Sequence, residues 1–210
     1  MRHRVKLGID LDDVIAVCAV PYLRRFAEEF GVDLPDEREM GWHLLRTMDE
    51  RVSPAERDRF RIKLYDGNFF GNLDIYPDCP VVLEHLVNAG HDLYFVTARA
   101  ERRRMITETW LREKGILEHA KAVHLKPMGD FNPDFPRGRY DASSSALYKT
   151  RLAKQLSLDV FCEDDEVIAR SLADAGVDVL LFDQPWNREL VHERITRVAG
   201  WSDVAQHLGL

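Results

Sequence analysis

A chain of 210 residues has room for one domain, or for one domain carrying a modest insertion. With 45% hydrophobic and 31% charged residues, the composition is that of a folded globular protein and excludes a disordered one. The formal charge of -7 argues against a surface built for nucleic-acid polymers, and no apolar run approaches the roughly 20 residues needed to span a bilayer.

Met1-Arg2-His3-Arg4 leads straight into an apolar run with no signal-peptide core, so a cytoplasmic location is expected. That run, Lys6-Leu7-Gly8-Ile9, predicts a short strand that delivers Asp10, Asp12 and Asp13 to its C-terminal tip. Folding alone has no use for such a cluster, because adjacent carboxylates repel and strands disfavour Asp. A divalent cation such as Mg2+ would relieve the repulsion, since hard cations take carboxylate oxygens. Positions i and i+2 of a strand share a side, so Asp10 and Asp12 can flank one reacting group. An acidic turn or a helix N-cap would use the same residues structurally.

Residues 15–30 read as an amphipathic helix with Tyr22, Leu23 and Phe26 on its apolar side, stopped by Gly31. The stretch 32–73 has another texture. Pro35, Gly41, Pro54 and Gly67 punctuate short helical pieces, and Trp42, Leu45, Phe60, Phe69 and Phe70 supply apolar bulk. No βαβ rhythm fits it, so residues 15–75 are expected to form a small all-helical cap over the carboxylates, with 1–14 and 76–210 as the core.

From Tyr76 the αβ rhythm resumes. A helix over 81–89 precedes a strand over 92–99 that turns polar at Thr97, followed by a helix over 101–114 and a third strand over 120–125. Residues 126–145, rich in Pro, Gly, Asp and Ser, predict a long loop whose serines cap a helix over 146–156. The strand 158–162 runs into Glu163-Asp164-Asp165, a helix covers 167–175, and 177–182 reads as the last strand, before Asp183-Gln184-Pro185-Trp186-Asn187 and a closing helix over 201–208. Cys18, Cys79 and Cys162 have no paired spacing and are expected to be reduced packing residues.

The alternation predicts an α/β, Rossmann-like doubly wound parallel sheet, which gathers at one edge Asp10, Asp12, Thr97, the acids at 163–165 and a lysine. Lys149, early in its helix, is favoured over Lys154, with Lys126 in the loop as a third candidate. Arg99 and Ala98 flank Thr97, and Trp186 and Asn187 follow the final strand on the same edge.

This order of motifs resembles the haloacid dehalogenase superfamily of phosphohydrolases: Asp10-Leu11-Asp12-Asp13-Val14 for its DxDx[TV] motif, Thr97, a Lys, and Asp164-Asp165. The resemblance implies Asp10 as phosphoryl-accepting nucleophile, Asp12 as general acid and base, Thr97 and Lys149 as phosphoryl contacts, and Mg2+ held by Asp10, Asp12 (through its carbonyl), and Asp164 or Asp165. Asp13 stands where the superfamily often has Gly.

The sequence is most similar to the 5'(3')-deoxyribonucleotidase-like group, through the helical cap, Asn68-Phe69-Phe70-Gly71-Asn72-Leu73, Val96-Thr97-Ala98-Arg99 and Leu181-Phe182-Asp183-Gln184-Pro185-Trp186-Asn187. This implies a nucleoside monophosphate as substrate, met by Ala98, Arg99, Lys154, Trp186 and the cap aromatics Phe69 and Phe70, with Trp42 or Tyr22 beside them. Phe69 and Phe70 serve equally well as the cap's own core. A sugar phosphatase and a non-catalytic binder of phosphate or Mg2+ are the alternatives, and a homodimer is compatible with either.

Overall fold

The computed structural model describes residues 4–44, 48, 51–127 and 142–210. Leu45 and residues 128–141 of the expected long loop lie outside them. Six parallel strands form one sheet in the order β3-β2-β1-β4-β5-β6: β1 Lys6–Ile9, β2 Asp92–Ala100, β3 Ala120–Lys126, β4 Val160–Glu163, β5 Asp178–Phe182 and β6 Ile195–Val198. The order reverses direction at β1, and the crevice there is where an open α/β sheet binds its ligands.

Strand alternation sorts the core into two faces. Leu7, Ile9, Val160, Cys162, Leu180 and Phe182 fall in one apolar cluster, whereas Phe161, Val179 and Leu181 fall in the other. The first cluster is covered by α3 (Cys79–Asn88), α4 (Arg104–Glu113) and α7 (Trp201–His207), and the second by α5 (Ala142–Leu156) and α6 (Glu166–Asp174). Gly8 points to the second face. A Cβ there would stand 2.4 Å from Phe161 Cδ2 and 2.7 Å from Leu158 Cδ1, so only glycine lets β4 approach.

Three expectations from the sequence need correction. The strand over 177–182 is not the last: Ile195–Val198 adds a parallel edge strand, with Phe182 opposite Val198. Ser143, Ser144 and Ser145 lie inside the first turn of α5 instead of capping it. The first helix, α1, spans Ala19–Phe30 and not residues 15–30, because the residues before it are used otherwise. Ala16 bridges Asp12 on one side and Ile75 on the other. Val17 N–H donates to the Asp74 carbonyl (2.9 Å) and Tyr76 N–H to the Ile15 carbonyl (3.0 Å), which joins the two ends of the 15–75 segment.

Between those ends, α2 (Pro54–Asp66) follows from its sequence: Ser53 and Glu56 form a reciprocal capping box and Pro54 occupies the first turn. Tyr22 and Phe26 of α1 meet Phe60 of α2 edge-on, at 5.6 and 5.4 Å between ring centroids. Tyr22, Phe26, Phe60, Phe69 and Phe70 join the sheet's first apolar cluster, so the segment packs continuously onto the core. Among the described residues no helix is long and apolar enough to cross a membrane.

Candidate active site

Ile9 pairs with Phe95 on one side and Cys162 on the other, and Asp10 N–H donates to the Cys162 carbonyl at 3.0 Å. The register therefore sets Asp10 level with Glu163, where β1 and β4 both end. Lys149 reaches this point from the middle of α5. Its side chain is fully buried, its Nζ donates to Glu163 Oε2 at 2.8 Å and stands 2.9 Å from Asp10 Oδ1. The ammonium therefore bridges the two acids, better aligned on the glutamate than on Asp10.

Oxygens of Asp10, Glu163 and Asp164 lie within 4.8 Å of one another. Burial raises the pKa of each: Glu163 is pushed up to about 8, and Asp10 and Asp164 go up as well. Burial alone would lower the Lys149 pKa, but Asp10 and Glu163 outweigh it and hold the ammonium charged. One cation facing three buried carboxylates leaves negative charge to be met. Hard oxygen donors and that uncompensated charge together fit a divalent metal ion.

The three consecutive acids have separate tasks. Glu163 Oε1 accepts the N–H groups of Asp164 (3.3 Å) and Asp165 (3.2 Å). Asp164 Oδ2 accepts the Trp186 indole N–H at 3.1 Å, and its carbonyl takes Asn187 Nδ2 at 2.7 Å. Asp165 caps α6, its Oδ1 accepting from Val167 (2.8 Å) and Ile168 (3.0 Å), and does not enter the acid cluster. Lys154, on the same helix as Lys149, is exposed.

From β2, Thr97 is fully buried and its Oγ1 accepts the Arg99 backbone N–H at 3.1 Å; Ala98 between them is half-buried. The Arg99 head forks onto Asp12. Lys126 at the end of β3 donates to Ser145 Oγ at 3.2 Å. Phe69 and Phe70 are each 7% exposed, and Phe70 lies over the Arg99 guanidinium, so both contribute to the apolar seam between the segment and the core.

Glu163, Asp13 and Asn187 matter more here than the sequence indicated. Asp13 sits at φ 59, in the left-handed region that Asp tolerates. Its buried carboxylate collects the N–H groups of Cys18 (2.9 Å) and Ala19 (3.0 Å) and the Trp42 indole N–H (2.8 Å), and burial pushes its pKa up to about 7. It thereby anchors the start of α1 and Trp42 to the tip of β1. Asn187, fully buried, ties Asp164 to the end of β5 through its second bond, to the Phe182 carbonyl (2.8 Å). Their signal was only proximity: an acid directly after the DxD pair, and an amide beside Trp186.

Trp186 closes this edge. A Cβ on Gly41 would stand 2.2 Å from its ring, so the segment's backbone rests directly on the indole. A cleft of about 400 Å³ opens beside it, lined by Val20, Met40, Tyr76, Gln184, Pro185 and Trp186 among others. Neither Asp10 nor Lys149 borders that cleft, so the chemistry of the side chains, and not the size of the opening, identifies the site.

Comparison with known proteins gives the family and agrees with the fold. Residues 3–126 match the family model described as 5' nucleotidase, deoxy (pyrimidine), cytosolic type C protein. A Bacillus cereus protein provisionally named a nucleotidase is 21% identical over 95% of this chain and 96% of its own. Protein tyrosine kinase A of Mycobacterium tuberculosis superposes with a TM-score of 0.70 at 18% identity, covering 99% of this chain and 100% of that one. A haloacid dehalogenase-type hydrolase of Bacillus subtilis, YfnB, solved bound to magnesium, gives a TM-score of 0.59 at 15% identity over 99% of this chain and 100% of its own.

Proposed function

This chain belongs to the cytosolic type C 5' nucleotidase family of haloacid dehalogenase-superfamily phosphoric monoester hydrolases, and from that premise we propose that it hydrolyses nucleoside monophosphates in a Mg2+-dependent reaction through an aspartyl-phosphate on Asp10. The observation that carries the reading is the burial of Asp10 against Lys149 beside two further carboxylates at the sheet's switch point. Asp10 and Asp164, with the Asp12 carbonyl, would hold Mg2+, which when bound offsets charge on the phosphoryl group. Glu163 keeps Lys149 in place, and Lys149 and Thr97 meet the phosphoryl oxygens.

An Asp10 oxygen attacks phosphorus and the ester P–O bond breaks. The departing oxygen takes that electron pair and a proton from Asp12. Water then attacks the phosphorylated Asp10, giving its proton to Asp12 and freeing phosphate. In this reading residues 15–75 act as the cap, and 1–14 with 76–210 as the catalytic core. In the same reading Trp42 and Trp186, where cap meets core, meet the nucleoside. The family's description as cytosolic supports a cytoplasmic location.

Phosphate release from a panel of nucleoside monophosphates and sugar phosphates, run with Mg2+ and with EDTA, tests the assignment. Nucleotides should give the higher kcat/KM, and EDTA should abolish turnover. Equal efficiency on both classes retires the nucleotide, and rates indifferent to EDTA retire the metal.

The acid run yields a paired prediction. Asp165→Ala removes a helix cap and should lower stability by about 1 kcal/mol while kcat is retained. Asp164→Asn should leave stability intact and abolish Mg2+ activation. Thermal unfolding and a Mg2+ titration of kcat separate the two, and the reverse pattern would hand the metal to Asp165.

A further inference from the structure

The Arg99 side chain is only 1% exposed. Its Nε lies 3.2 and 3.1 Å from the two Asp12 carboxylate oxygens, and its Nη2 lies 2.6 Å from Oδ1. The third nitrogen, Nη1, has no hydrogen-bond partner among the described residues, so all directed bonding of the head goes to Asp12. Two rings fix the plane of the guanidinium: Phe70 at 4.4 Å and Trp110 at 5.1 Å from its central carbon. Trp110 is itself held by its indole N–H on the Leu73 carbonyl, at 2.8 Å. Burying an arginine is costly, and a rigid two-nitrogen fork on a carboxylate specifies direction in a way no lysine reproduces.

We propose that Arg99 is a positioning residue for the reaction, which orients the Asp12 carboxylate towards the departing oxygen, with Phe70 connecting that orientation to the cap. The proposal rests on the hydrolase reading above and deepens it. Arg99 touches no reacting atom. Its effect passes through Asp12, and Asp12 matters most where the departing oxygen cannot leave without a proton. Arg99 therefore sets how well the enzyme copes with poor leaving groups.

Two esters of similar shape isolate that effect: p-nitrophenyl phosphate, whose phenolate leaves unaided, and benzyl phosphate, whose alkoxide needs protonation. The measured quantity is kcat/KM, which reports the first phosphoryl transfer. Arg99→Gln should lose about 100-fold or more on benzyl phosphate, the scale of a general-acid contribution, and only a few-fold on p-nitrophenyl phosphate. Arg99→Lys should behave alike, because it keeps the charge but not the fork. Equal losses on the two esters would mean that Arg99 binds the phosphoryl group, and would overturn the proposal, as would no loss on either.

Should the arginine variants fail to fold, Phe70→Leu carries the same test. It frees the guanidinium while leaving Asp12 and Arg99 in place, and should depress benzyl phosphate turnover more than p-nitrophenyl phosphate turnover; equal effects count against the proposal. A wild-type protein inactive on both esters and on nucleoside monophosphates as well would instead end the hydrolase reading, and this inference with it.

Discussion

Asp10→Asn is expected to give a folded protein whose ester hydrolysis is slower by about four orders of magnitude or more, the usual consequence of removing a covalent nucleophile. The amide has the carboxylate's shape but no charge to attack phosphorus. Stability should not suffer. Burial raises the Asp10 pKa, Lys149 pulls it back down and Asp12 adds to the rise; the net shift is upward, which means that its charged form is held at a cost. Lys149 keeps its 2.8 Å bond to Glu163 in the variant. Steady-state rates on a nucleoside monophosphate, paired with thermal unfolding in EDTA, check both halves: kcat should collapse while Tm stays equal or rises. Near wild-type turnover would remove Asp10 from the chemistry.

Lys149→Met should do the opposite, costing stability first. The side chain fills a fully buried position 5.7 Å over the Phe161 ring, and methionine can occupy that space. What is lost is the cation between Asp10 and Glu163, and breaking a buried ion pair on one side costs about 3–5 kcal/mol. The penalty depends on pH. Burial raises Glu163 to about 8 and Asp13 to about 7, and lifts Asp10 and Asp164 too, so each carboxyl binds its proton more tightly folded than unfolded.

Such groups add stability that is complete below the ordinary carboxylate range and is lost as pH rises through the folded values, about 7 for Asp13 and about 8 for Glu163. Lys149 titrates above this window and contributes no slope within it. Metal-free wild type should therefore unfold at lower urea at about pH 9 than at about pH 5, and Lys149→Met should steepen the difference. Mg2+ should restore stability at the higher pH by binding the native state. A midpoint independent of pH would show that these acids are not buried as charges.

How much of this could be read from the chain depends on the kind of signal. The apolar runs ending in acids or Thr97 gave the strands of the active edge, because a parallel sheet buried on both faces demands continuous apolar stretches and tolerates polar residues only at the tips. Ile195–Val198 escaped notice because an edge strand buries little; Thr196 and Arg197 are exposed and no apolar run marks it.

Lys149 and Lys154 were separable in principle, since five residues turn a helix by roughly 140° and only one of them can face the sheet. The acids at 163–165 were not. Which of three consecutive carboxylates turns inward depends on where β4 stops and α6 begins, and a shift of one residue exchanges the roles. Asp13 was the least legible. Its function lies in receiving Trp42 across 29 positions of sequence, a partner that only the folded segment brings near.

The joined ends of that segment carry a last consequence. Ile15 and Tyr76 are backbone neighbours, with Val17 and Asp74 paired beside them, so the polypeptide leaves and re-enters the sheet at a single doorway. Loop-closure entropy grows slowly with length once the ends are pinned. Segments longer or shorter than 15–75 could thus be accommodated at that doorway without re-registering a strand. On the cap reading proposed above, selectivity and bond cleavage would then be separable modules that diverge at different rates.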